Sequence, residues 1–533
     1  MKKIILQITL IYFFGFFSLN AQVLEVSSHL KISATSGGFN GVLGNDDFFG
    51  GGLTDAGDIN QDGNPDLIVG ARHDNENGFN RGAVWVLFMD DSQQVIGQQK
   101  INETNGNFSG NLSNDGVFGT DIANLGDLDG NGVNDFAVGA SSSSSQGFRQ
   151  GEVWILFMNS DGTVSDNLKI SSNPTNFPGN EIMDNSRFGK SIAALGDLDN
   201  DGITEIAVTG YLDSEVIPNQ GAVWILFLNS EGKVKRHQKI NAANGSFEGD
   251  LANSNGFGYG VARLNDMDGD NIPEIAVGCR GDMDGGDFTG AVWILFLDEN
   301  GMVKTEQKIS AWTGNFFGDL DPGDQFGCSV SNMGDLDNNG IDDLIVGSWR
   351  DDDGGLDKGA FWVLLLNSDG TVADFDKISN TEGNFTANLE QDDFFSFALE
   401  AVDDLNGDGI KEILVGAKGD DDGGGFDKGA FYIIYPQTLI TNTELVTDLN
   451  LKVNLFPNPT KGQINITMAG DYQGIVTGIL YDMFGKVVRN HTWQKSGETF
   501  TTLMNTGYLP AANYSLLLQF GDKEINRKII IVK

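Results

Sequence analysis

The chain has 533 residues, with 75 acidic and 33 basic side chains and a formal net charge of −42. This charge disfavours nucleic acid and anionic lipid headgroups as partners, because both would be repelled, and it favours the binding of cations. The 72 glycines, 10 prolines and two cysteines exclude a Pro-rich disordered chain and a disulfide scaffold. The length allows several domains or one large all-β domain.

The first segment, residues 1–21, is typical of a secretory signal peptide. Lys2 and Lys3 precede an apolar run over residues 4–19, and Ala21 offers a small residue for cleavage. An uncleaved membrane anchor is the alternative, although the run is short for a span. No later stretch is long and apolar enough to cross a bilayer, so we expect no transmembrane segment in the mature chain.

An acidic nonapeptide recurs six times at steps of 69 or 70 residues, which predicts one structural unit repeated. In the third unit, residues 191–195, 206–208, 221–228 and 234–240 read as strands separated by Gly, Asn and Asp turns. Four short strands per unit are typical of a β-propeller blade. One aromatic position in each third strand predicts inter-blade packing, with sugar stacking as the alternative. These residues are Trp85, Trp154, Trp224, Trp293, Trp362 and Tyr432.

The order of the fourth strands indicates how the ring closes. The Lys-Ile signature of that strand precedes the first nonapeptide at Lys31, and none follows the sixth. The N-terminal segment should therefore supply the outer strand of the last blade, which removes two free edges. The predicted fold is all-β: a six-bladed β-propeller over residues 22–436, closed by the N-terminal strand, followed by a small C-terminal β-sandwich. A seven-bladed propeller is the alternative, but no residues are left to build another blade.

The nonapeptide has the spacing Asp-x-Asp/Asn-x-Asp/Asn-Gly-x-x-Asp/Glu. Calcium takes six to eight oxygen ligands, and loop positions one, three and five can direct side-chain oxygens inward while Gly at six allows a sharp turn. Position twelve is apolar and a strand follows, which distinguishes the loop from an EF-hand. We therefore predict about six structural Ca²⁺ sites, with Mg²⁺ as the rival metal and acidic turns without metal as the alternative.

In the fourth copy Asn271 replaces Gly, and Asn tolerates a left-handed conformation, so this site is expected to be kept. The predicted metal ligands are Asp58, Asn60, Asp62, Asp66, Asp127, Asp129, Asn131, Asp135, Asp197, Asp199, Asp201, Glu205, Asp266, Asp268, Asp270, Glu274, Asp335, Asp337, Asn339, Asp343, Asp404, Asn406, Asp408 and Glu412.

The order Phe-Gly, acidic nonapeptide, Ile-Ala-Val-Gly and Gly-Ala-Val-Trp resembles the FG-GAP repeats of integrin α-subunit propellers. The resemblance covers about residues 23–436. It implies Ca²⁺ in hairpin loops on one face and binding of a partner on the other. Because the loops between the second and third strands vary between copies, a protein or glycan ligand is expected there. These loops are residues 72–81, 141–150, 211–220, 280–289, 350–358 and 418–428.

Four of these loops are rich in Asp, which we interpret as a solvated acidic rim. The alternative is that these acids bind further cations or recognise a basic or calcium-bridged ligand. The tripeptide Arg280-Gly-Asp282 spells an adhesion motif, but equivalent loops carry similar residues, so drift between repeats explains it. Cys279 and Cys328 should both lie near this face. A disulfide between them is open, and two buried thiols are favoured.

No catalytic site and no cofactor-binding motif other than the metal loops is predicted. The four histidines, at positions 29, 73, 237 and 491, occupy non-equivalent places, and no nucleophile or phosphate-loop motif occurs. We therefore expect a binding or adhesion module rather than an enzyme. A secreted polysaccharide hydrolase or lyase acting on the variable-loop face is one alternative, and a structural surface or biofilm component is the other.

The C-terminal part departs from the repeat. Residues 437–450 read as a polar linker, and residues 451–533 as a β-rich domain. Pro457-Asn-Pro459, Asp482-x-x-Gly-Lys486 and a Lys-rich terminal strand resemble the type A sorting domain of the Bacteroidota type IX secretion system. The resemblance implies contact with that machinery, export across the outer membrane, and either attachment to the cell surface or release.

Overall fold

The computed structural model describes residues 24–173, 177, 182–252, 254–438, 452–456, 460–470, 472–482, 486–497, 499–506, 509–510, 512–520 and 523–531. The predicted signal peptide and most of the predicted linker lie outside the described residues. Two compact units are present, one of Gln22–Leu439 and one that includes Ile440–Lys533. In the described part of the chain no helix is long and apolar enough to span a membrane.

The first unit is built of short strands, as the repeat predicts. They are β1 Leu24–Ile32, β2 Phe49–Gly57, β3 Asp66–Ala71, β4 Ala83–Met89, β5 Val95–Ile101, β6 Phe118–Gly126, β7 Asp135–Ala140, β8 Glu152–Met158, β9 Val164–Ile170, β10 Ile192–Gly196, β11 Glu205–Gly210, β12 Ala222–Leu228, β13 Val234–Ile240, β14 Phe257–Leu264, β15 Glu274–Cys279, β16 Ala291–Leu297, β17 Val303–Ser310, β18 Val330–Gly334, β19 Asp343–Ser348, β20 Ala360–Leu366, β21 Val372–Ile378, β22 Phe395–Ala401, β23 Ile413–Ala417 and β24 Ala430–Thr438.

Within residues 24–438 the described strands form six antiparallel four-stranded sheets. Five of these sheets consist of four consecutive strands, from β2–β5 to β18–β21. The sixth has the order β1-β24-β23-β22, so the N-terminal strand completes it. Ile32 faces Phe431 and Leu24 faces Thr438 in this pairing. The first and last strands of the unit are thus hydrogen-bonded to each other, which leaves no open end in the ring.

The core lies between neighbouring sheets rather than within one of them. Six apolar clusters each combine residues of two successive sheets, and the last of them joins the sixth sheet to the first through Phe431 and Phe49. The third strands β8, β12, β16 and β20 are buried at every position because both of their faces are covered. This closed arrangement of sheets is a β-propeller. The aromatic position of the third strand lies in these clusters, which confirms inter-blade packing.

The Phe-Gly pair marks the place where one sheet meets the next. Phe118 is fully buried and bridges Gly82, which precedes the third strand of the preceding sheet. Gly119 has φ +88°, and a Cβ there would lie 2.6 Å from the carbonyl oxygen of Ala83. Gly is required because the chain turns in a left-handed conformation against a neighbouring backbone. In the sixth repeat Ser396 occupies this position at φ 72° and donates a hydrogen bond to the Ala360 carbonyl at 2.5 Å.

The C-terminal unit has two antiparallel sheets around a separate core. One sheet has the order β25-β26-β29 and the other β28-β27-β30-β31. Residues of both sheets, such as Ile466 and Leu516, share the apolar cluster between them, as in a β-sandwich. The strands are β25 Lys452–Phe456, β26 Gln463–Ala469, β27 Gly474–Asp482, β28 Val487–Lys495, β29 Thr499–Asn505, β30 Ala512–Phe520 and β31 Lys523–Ile531.

Candidate functional site

The six acidic nonapeptides connect the first and second strands of the six sheets and share one backbone geometry. In each loop the carboxylate at position one accepts hydrogen bonds from the N–H groups of positions five and six, at 2.7–3.1 Å. Position six has a positive φ, for example +87° at Gly202, and Asn271 adopts +68° in the fourth copy. These hydrogen bonds to the position-one carboxylate therefore hold the turn of each loop. Asn271 adopts the same left-handed conformation as the glycines, so the fourth loop has the same turn.

Five of the six loops bring carboxylate oxygens within 4.8 Å of one another. In the first loop Asp62 instead accepts hydrogen bonds from Asn60 and Asn64, and its three carboxylates form no such group among the described residues. The converging groups are Asp127, Asp129 and Asp135; Asp197, Asp199 and Glu205; Asp266, Asp268, Asp270 and Glu274; Asp335, Asp337 and Asp343; and Asp404, Asp408 and Glu412.

The acid at position nine is the buried member of each group. All six, from Asp66 to Glu412, are 0% exposed, and burial raises their pKa values. The pKa reaches about 7 for Glu205 and about 8 for Glu274. In these two residues Oε2 accepts the position-two N–H at 2.8 and 2.7 Å, whereas Oε1 is buried without a hydrogen-bond partner. A buried oxygen left without a donor fits a cation ligand.

Where position nine is Asp, the same side chain also holds the third strand. Asp135 accepts the N–H of Leu128 through Oδ2 at 2.8 Å and that of Met158 through Oδ1 at 2.9 Å. Asn131, at position five of that loop, donates from Nδ2 to the Met158 carbonyl at 2.9 Å. The loop is thus fastened to the end of β8, so a change in the loop reaches the buried strands of the sheet.

Two loops carry a fourth carboxylate, and a lysine accompanies it in both. In the third repeat Lys235 contacts Asp201 and lies 3.3 Å from Asp199. In the fourth, Lys304 contacts Asp270 and lies 2.7 Å from Asp268. At positions one, three, five and nine the other four loops have three carboxylates, and their sequences place no lysine at the equivalent fourth-strand position. Counted over these four positions and the lysine, the formal charge is −3 in every loop when all of the acids are ionised.

On the opposite face, acids of the Asp-rich loops form ion pairs with the fourth-strand lysines, one lysine to two carboxylates. Lys377 lies 2.7 Å from Asp351 and 2.8 Å from Asp353. The pairs around Lys31, Lys100, Lys239 and Lys308 repeat this arrangement. These acids are neither a purely solvated rim nor free ligands for further cations. These ion pairs could have been predicted from the sequence, because an Asp-x-Asp/Glu loop precedes each of these lysines in the fold.

In the second repeat the fourth-strand lysine also lies near a buried carboxylate, but this carboxylate comes from a strand and not from the loop. Its loop has Ser143 and Ser145 where the other repeats have acids. Glu152, which is 0% exposed, supplies the carboxylate instead and lies 3.4 Å from Lys169. Its other oxygen accepts the indole N–H of Trp154 at 3.2 Å. A glutamate from the neighbouring strand thus replaces the missing loop acids, so the lysine keeps its partner.

The adhesion tripeptide and the cysteines are buried. Asp282 is 3% exposed and lies 2.8 Å from Lys308, and the Arg280 guanidinium lies 4.2 Å from the ring centre of Tyr259. Both charged side chains of the tripeptide therefore contact other residues of the propeller. This agrees with the interpretation that the tripeptide arose by drift between repeats. Cys279 and Cys328 are free and buried, and burial raises the pKa of both thiols.

Comparison with known proteins supports both resemblances. A model described as FG-GAP repeat matches residues 50–87, 118–156 and 188–226. A model described as secretion system C-terminal sorting domain matches residues 454–532. Both predicted resemblances are confirmed. The sorting domain indicates export by type IX secretion, to the cell surface or as a released protein of a Bacteroidota bacterium.

Several integrin α-subunits are similar to the repeats. Integrin alpha-7 of Rattus norvegicus is 29% identical over 204 residues, which are 38% of this chain and 15% of that protein. Integrin alpha-2 of Mus musculus is 35% identical over 105 residues, or 19% of this chain and 8% of that protein. Integrin alpha-IIb of Homo sapiens is 30% identical over 164 residues, or 30% and 14%. The matches thus span a small part of each relative.

A solved structure titled as a novel fungal alcohol oxidase of the AA5 family in complex with copper has a TM-score of 0.35 at 12% identity, covering 96% of this chain and 100% of that chain. A similarity at this level supports no statement about the chemistry of this chain.

Proposed function

We propose that this chain, which carries FG-GAP repeats of an integrin α-like β-propeller and a type IX sorting domain, is an exported, calcium-stabilised binding module. Residues 22–436 would form the propeller and residues 451–533 the sorting domain. The acidic loops would hold Ca²⁺ at one end of the ring, and the face formed by the variable loops would bind a protein or glycan ligand.

The calcium proposal rests chiefly on the unpartnered Oε1 atoms of Glu205 and Glu274. An ionised carboxylate that is 0% exposed and lacks a donor at one oxygen is costly unless a cation accompanies it. The carboxylates at positions one, three and five and the amide oxygens of Asn at three or five supply the remaining hard oxygen ligands. When bound, Ca²⁺ would supply the positive charge that three converging carboxylates require, so that they no longer repel one another.

This proposal predicts a specific effect of Glu274→Gln, which removes the charge but keeps the shape. The variant should bind one Ca²⁺ fewer than the wild type and gain less thermal stability from Ca²⁺. In EGTA it should be at least as stable as the wild type, because Gln neither buries a charge nor has to take up a proton on folding. The matched control is Glu231→Gln, on an exposed turn of a neighbouring sheet, where Glu231 contacts only Lys233. Equal Ca²⁺ stoichiometry in both variants and the wild type would contradict the assignment.

The binding role is supported by the variable loops, which are presented on a rigid ring of sheets. Glycan-array binding and capture of surface proteins should be measured with Ca²⁺ and with EGTA. Ligand binding should weaken in EGTA, because the loops of the opposite face are fixed to sheets whose hairpins would then loosen. Robust turnover of a polysaccharide by the purified chain would overturn the binding role in favour of an enzyme.

A further inference from the structure

The central cavity has a volume of about 320 Å³ and is lined by the first strands of all six sheets. Two rings of six equivalent residues lie at the variable-loop end of the sheets, and the second of them, ring B, lines the cavity. Ring A is the residue that follows each second strand: Arg72, Ser141, Tyr211, Arg280, Trp349 and Lys418. Ring B consists of the residues two places after the Phe of each Phe-Gly pair, or after the equivalent Phe of the sixth repeat. They are Gly51, Thr120, Lys190, Tyr259, Cys328 and Phe397.

These twelve positions carry four cations and four aromatic rings but no carboxylate. That composition is the reverse of the chain as a whole, which has 75 acidic and 33 basic residues. The positions come from six repeats about 70 residues apart, so only the closed ring assembles them.

The cations contact aromatic rings instead of acids. Phe397 alone has three of them over its ring, with centroid distances of 4.7 Å for Arg72, 5.8 Å for Lys190 and 4.4 Å for Lys418. Lys418 also lies 4.3 Å from the Trp349 ring, and Lys190 lies 4.2 Å from the Tyr259 ring. The three positive charges are therefore grouped at one place.

Lys190 and Lys418 are buried without a carboxylate in ion-pair contact, although Asp121 attracts Lys190 and Asp427 attracts Lys418 at longer range. They are 8% and 7% exposed, and among the described residues no carboxylate oxygen lies within 4.0 Å of either ammonium group. The guanidinium Nε atom of Arg72 is likewise buried without a hydrogen-bond partner. Cation–π contacts offset only part of the cost of burying a charge. Each of the fourth-strand lysines Lys31, Lys100, Lys169, Lys239, Lys308 and Lys377, by contrast, lies near a carboxylate.

Burial is the largest influence on both lysines, and the charges around them act in both directions. Burial lowers the pKa of Lys190 to about 8, with Arg72 acting in the same direction and Asp121 against it. Burial lowers the pKa of Lys418, reinforced by Arg72 and Arg350. Asp121 accepts the Ile192 N–H at 2.8 Å and attracts Lys190 from beyond ion-pair distance. An anion placed between these cations would relieve both the repulsion and the lack of a partner.

We propose that rings A and B bind the carboxylate or sulfate group of an acidic saccharide. The two lysines are recessed, so a small oxyanion on a narrow ligand can reach them, whereas an acidic protein surface cannot and would be repelled by the net charge of −42. Thr120 and Ser329 line the cavity. Their hydroxyls donate to the carbonyls of Val117 and Ser396, so their oxygens can still accept hydrogen bonds from sugar hydroxyls. This inference rests on the proposed binding role of the variable-loop face and names the class of its ligand.

Isothermal titration with D-glucuronate tests the proposal, with D-glucose as the neutral control and inorganic sulfate as an anion without a sugar. Glucuronate should bind, sulfate should compete with it, and glucose should not bind. Lys190→Met and Lys418→Met should each weaken glucuronate about tenfold or more, which is the usual loss of one charge-assisted contact. The control variant is Lys233→Met, on an exposed turn. No glucuronate binding, unchanged affinity in both lysine variants, or binding of poly-aspartate alone would overturn the proposal.

Thermal stability without added anion separates a ligand site from a structural cluster. Lys418→Met should melt at or above the wild-type temperature, because this variant removes a buried charge that has no carboxylate in ion-pair contact. A lower melting temperature would assign this lysine to folding. The Ca²⁺ stoichiometry of the same proteins keeps the two proposals apart: loss of glucuronate binding with intact Ca²⁺ binding concerns this site alone.

The pH dependence adds an independent readout. Asp121, Arg72, Tyr211, Tyr259 and Cys328 face Lys190. Glucuronate affinity should fall above about pH 8, where Lys190 loses its proton. Lys190→Arg should retain binding and reduce this decline, because arginine stays charged whereas Lys418 still titrates. An identical pH profile in the wild type and Lys190→Arg would contradict the role of Lys190.

Discussion

Replacement of Lys31 by methionine tests how the ring is closed. Lys31 lies on β1, and its ammonium group lies 2.6 Å from Asp420 and 2.9 Å from Asp422 in the loop of the sixth repeat. The contact joins residues almost 400 positions apart, and the pairing of β1 with β24 runs alongside it. Lys31→Met keeps most of the apolar stem but removes the charge that both carboxylates face.

The burial of the partners sets the size of the effect. The Lys31 side chain is 23% exposed and that of Asp420 is 6% exposed, so the pair is neither a surface pair nor a fully buried one. Exposed pairs contribute up to about 1 kcal/mol, whereas breaking a buried pair costs about 3–5 kcal/mol. We expect Lys31→Met to lower the free energy of unfolding by about 2 kcal/mol. Burial raises the pKa of Asp420 and Lys31 opposes this, so the loss should shrink as the pH falls and the unpaired acid takes up a proton.

The assay is urea unfolding combined with hydrogen exchange. The matched control is Lys377→Met, since Lys377 makes the same paired contacts with Asp351 and Asp353 inside one continuous repeat. Both variants should lose similar stability, but only Lys31→Met should accelerate exchange in β1 and β24. Lys233→Met, on an exposed turn, should change neither. If exchange in β1 is the same in Lys31→Met and the wild type, the view that this contact helps to close the ring is wrong.

Three further predictions follow from burial and backbone geometry. In EGTA the melting temperature should fall as pH rises from 5 to 8. Buried Glu205 and Glu274 hold protons in the folded state, whereas the unfolded chain releases these protons near pH 4.5. Saturating Ca²⁺ should abolish the fall, and a melting temperature independent of pH in EGTA would contradict the prediction. Asn271→Ala should cost about 1 kcal/mol of unfolding free energy at φ +68° whereas Asn271→Gly should not, and equal urea midpoints would refute this strain. Cys279 and Cys328 should resist iodoacetamide in the native protein and react in guanidinium, so native labelling would show that they are accessible.

Much of the fold follows from the sequence because the information is local and repeated. The regular spacing of the nonapeptides and the Lys-Ile segments defines the strand order, and the early position of Lys31 indicates the pairing with the sixth repeat. The conformation of the loops could also be predicted. Position one accepts the hydrogen bonds of the turn, position six adopts the left-handed conformation, and position nine is the buried acid. Asn271 shows this, because its type alone indicates a left-handed residue.

Other features depend on contacts that no single repeat contains. The ion pairs of the Asp-rich loops could have been found by comparing repeats, as the replacement of loop acids by Glu152 shows. The grouping of Lys190 and Lys418 could not, because their positions are not equivalent and Lys190 has no lysine counterpart in other repeats. The failure of the first loop to gather its carboxylates is also invisible in the sequence, since Asn60 and Asn64 compete for Asp62 only once the loop is folded.

The most direct test of the account is the number of Ca²⁺ ions bound per chain. Native mass spectrometry of the propeller-containing protein, titrated with Ca²⁺ after treatment with EGTA, should show successive binding of about six ions and a rising melting temperature. Extracellular sites of this kind bind with Kd values of roughly 10⁻⁴ to 10⁻³ M, so the titration should extend into the millimolar range. No bound Ca²⁺ at millimolar concentration, with the same melting temperature in EGTA, would contradict a calcium-stabilised propeller.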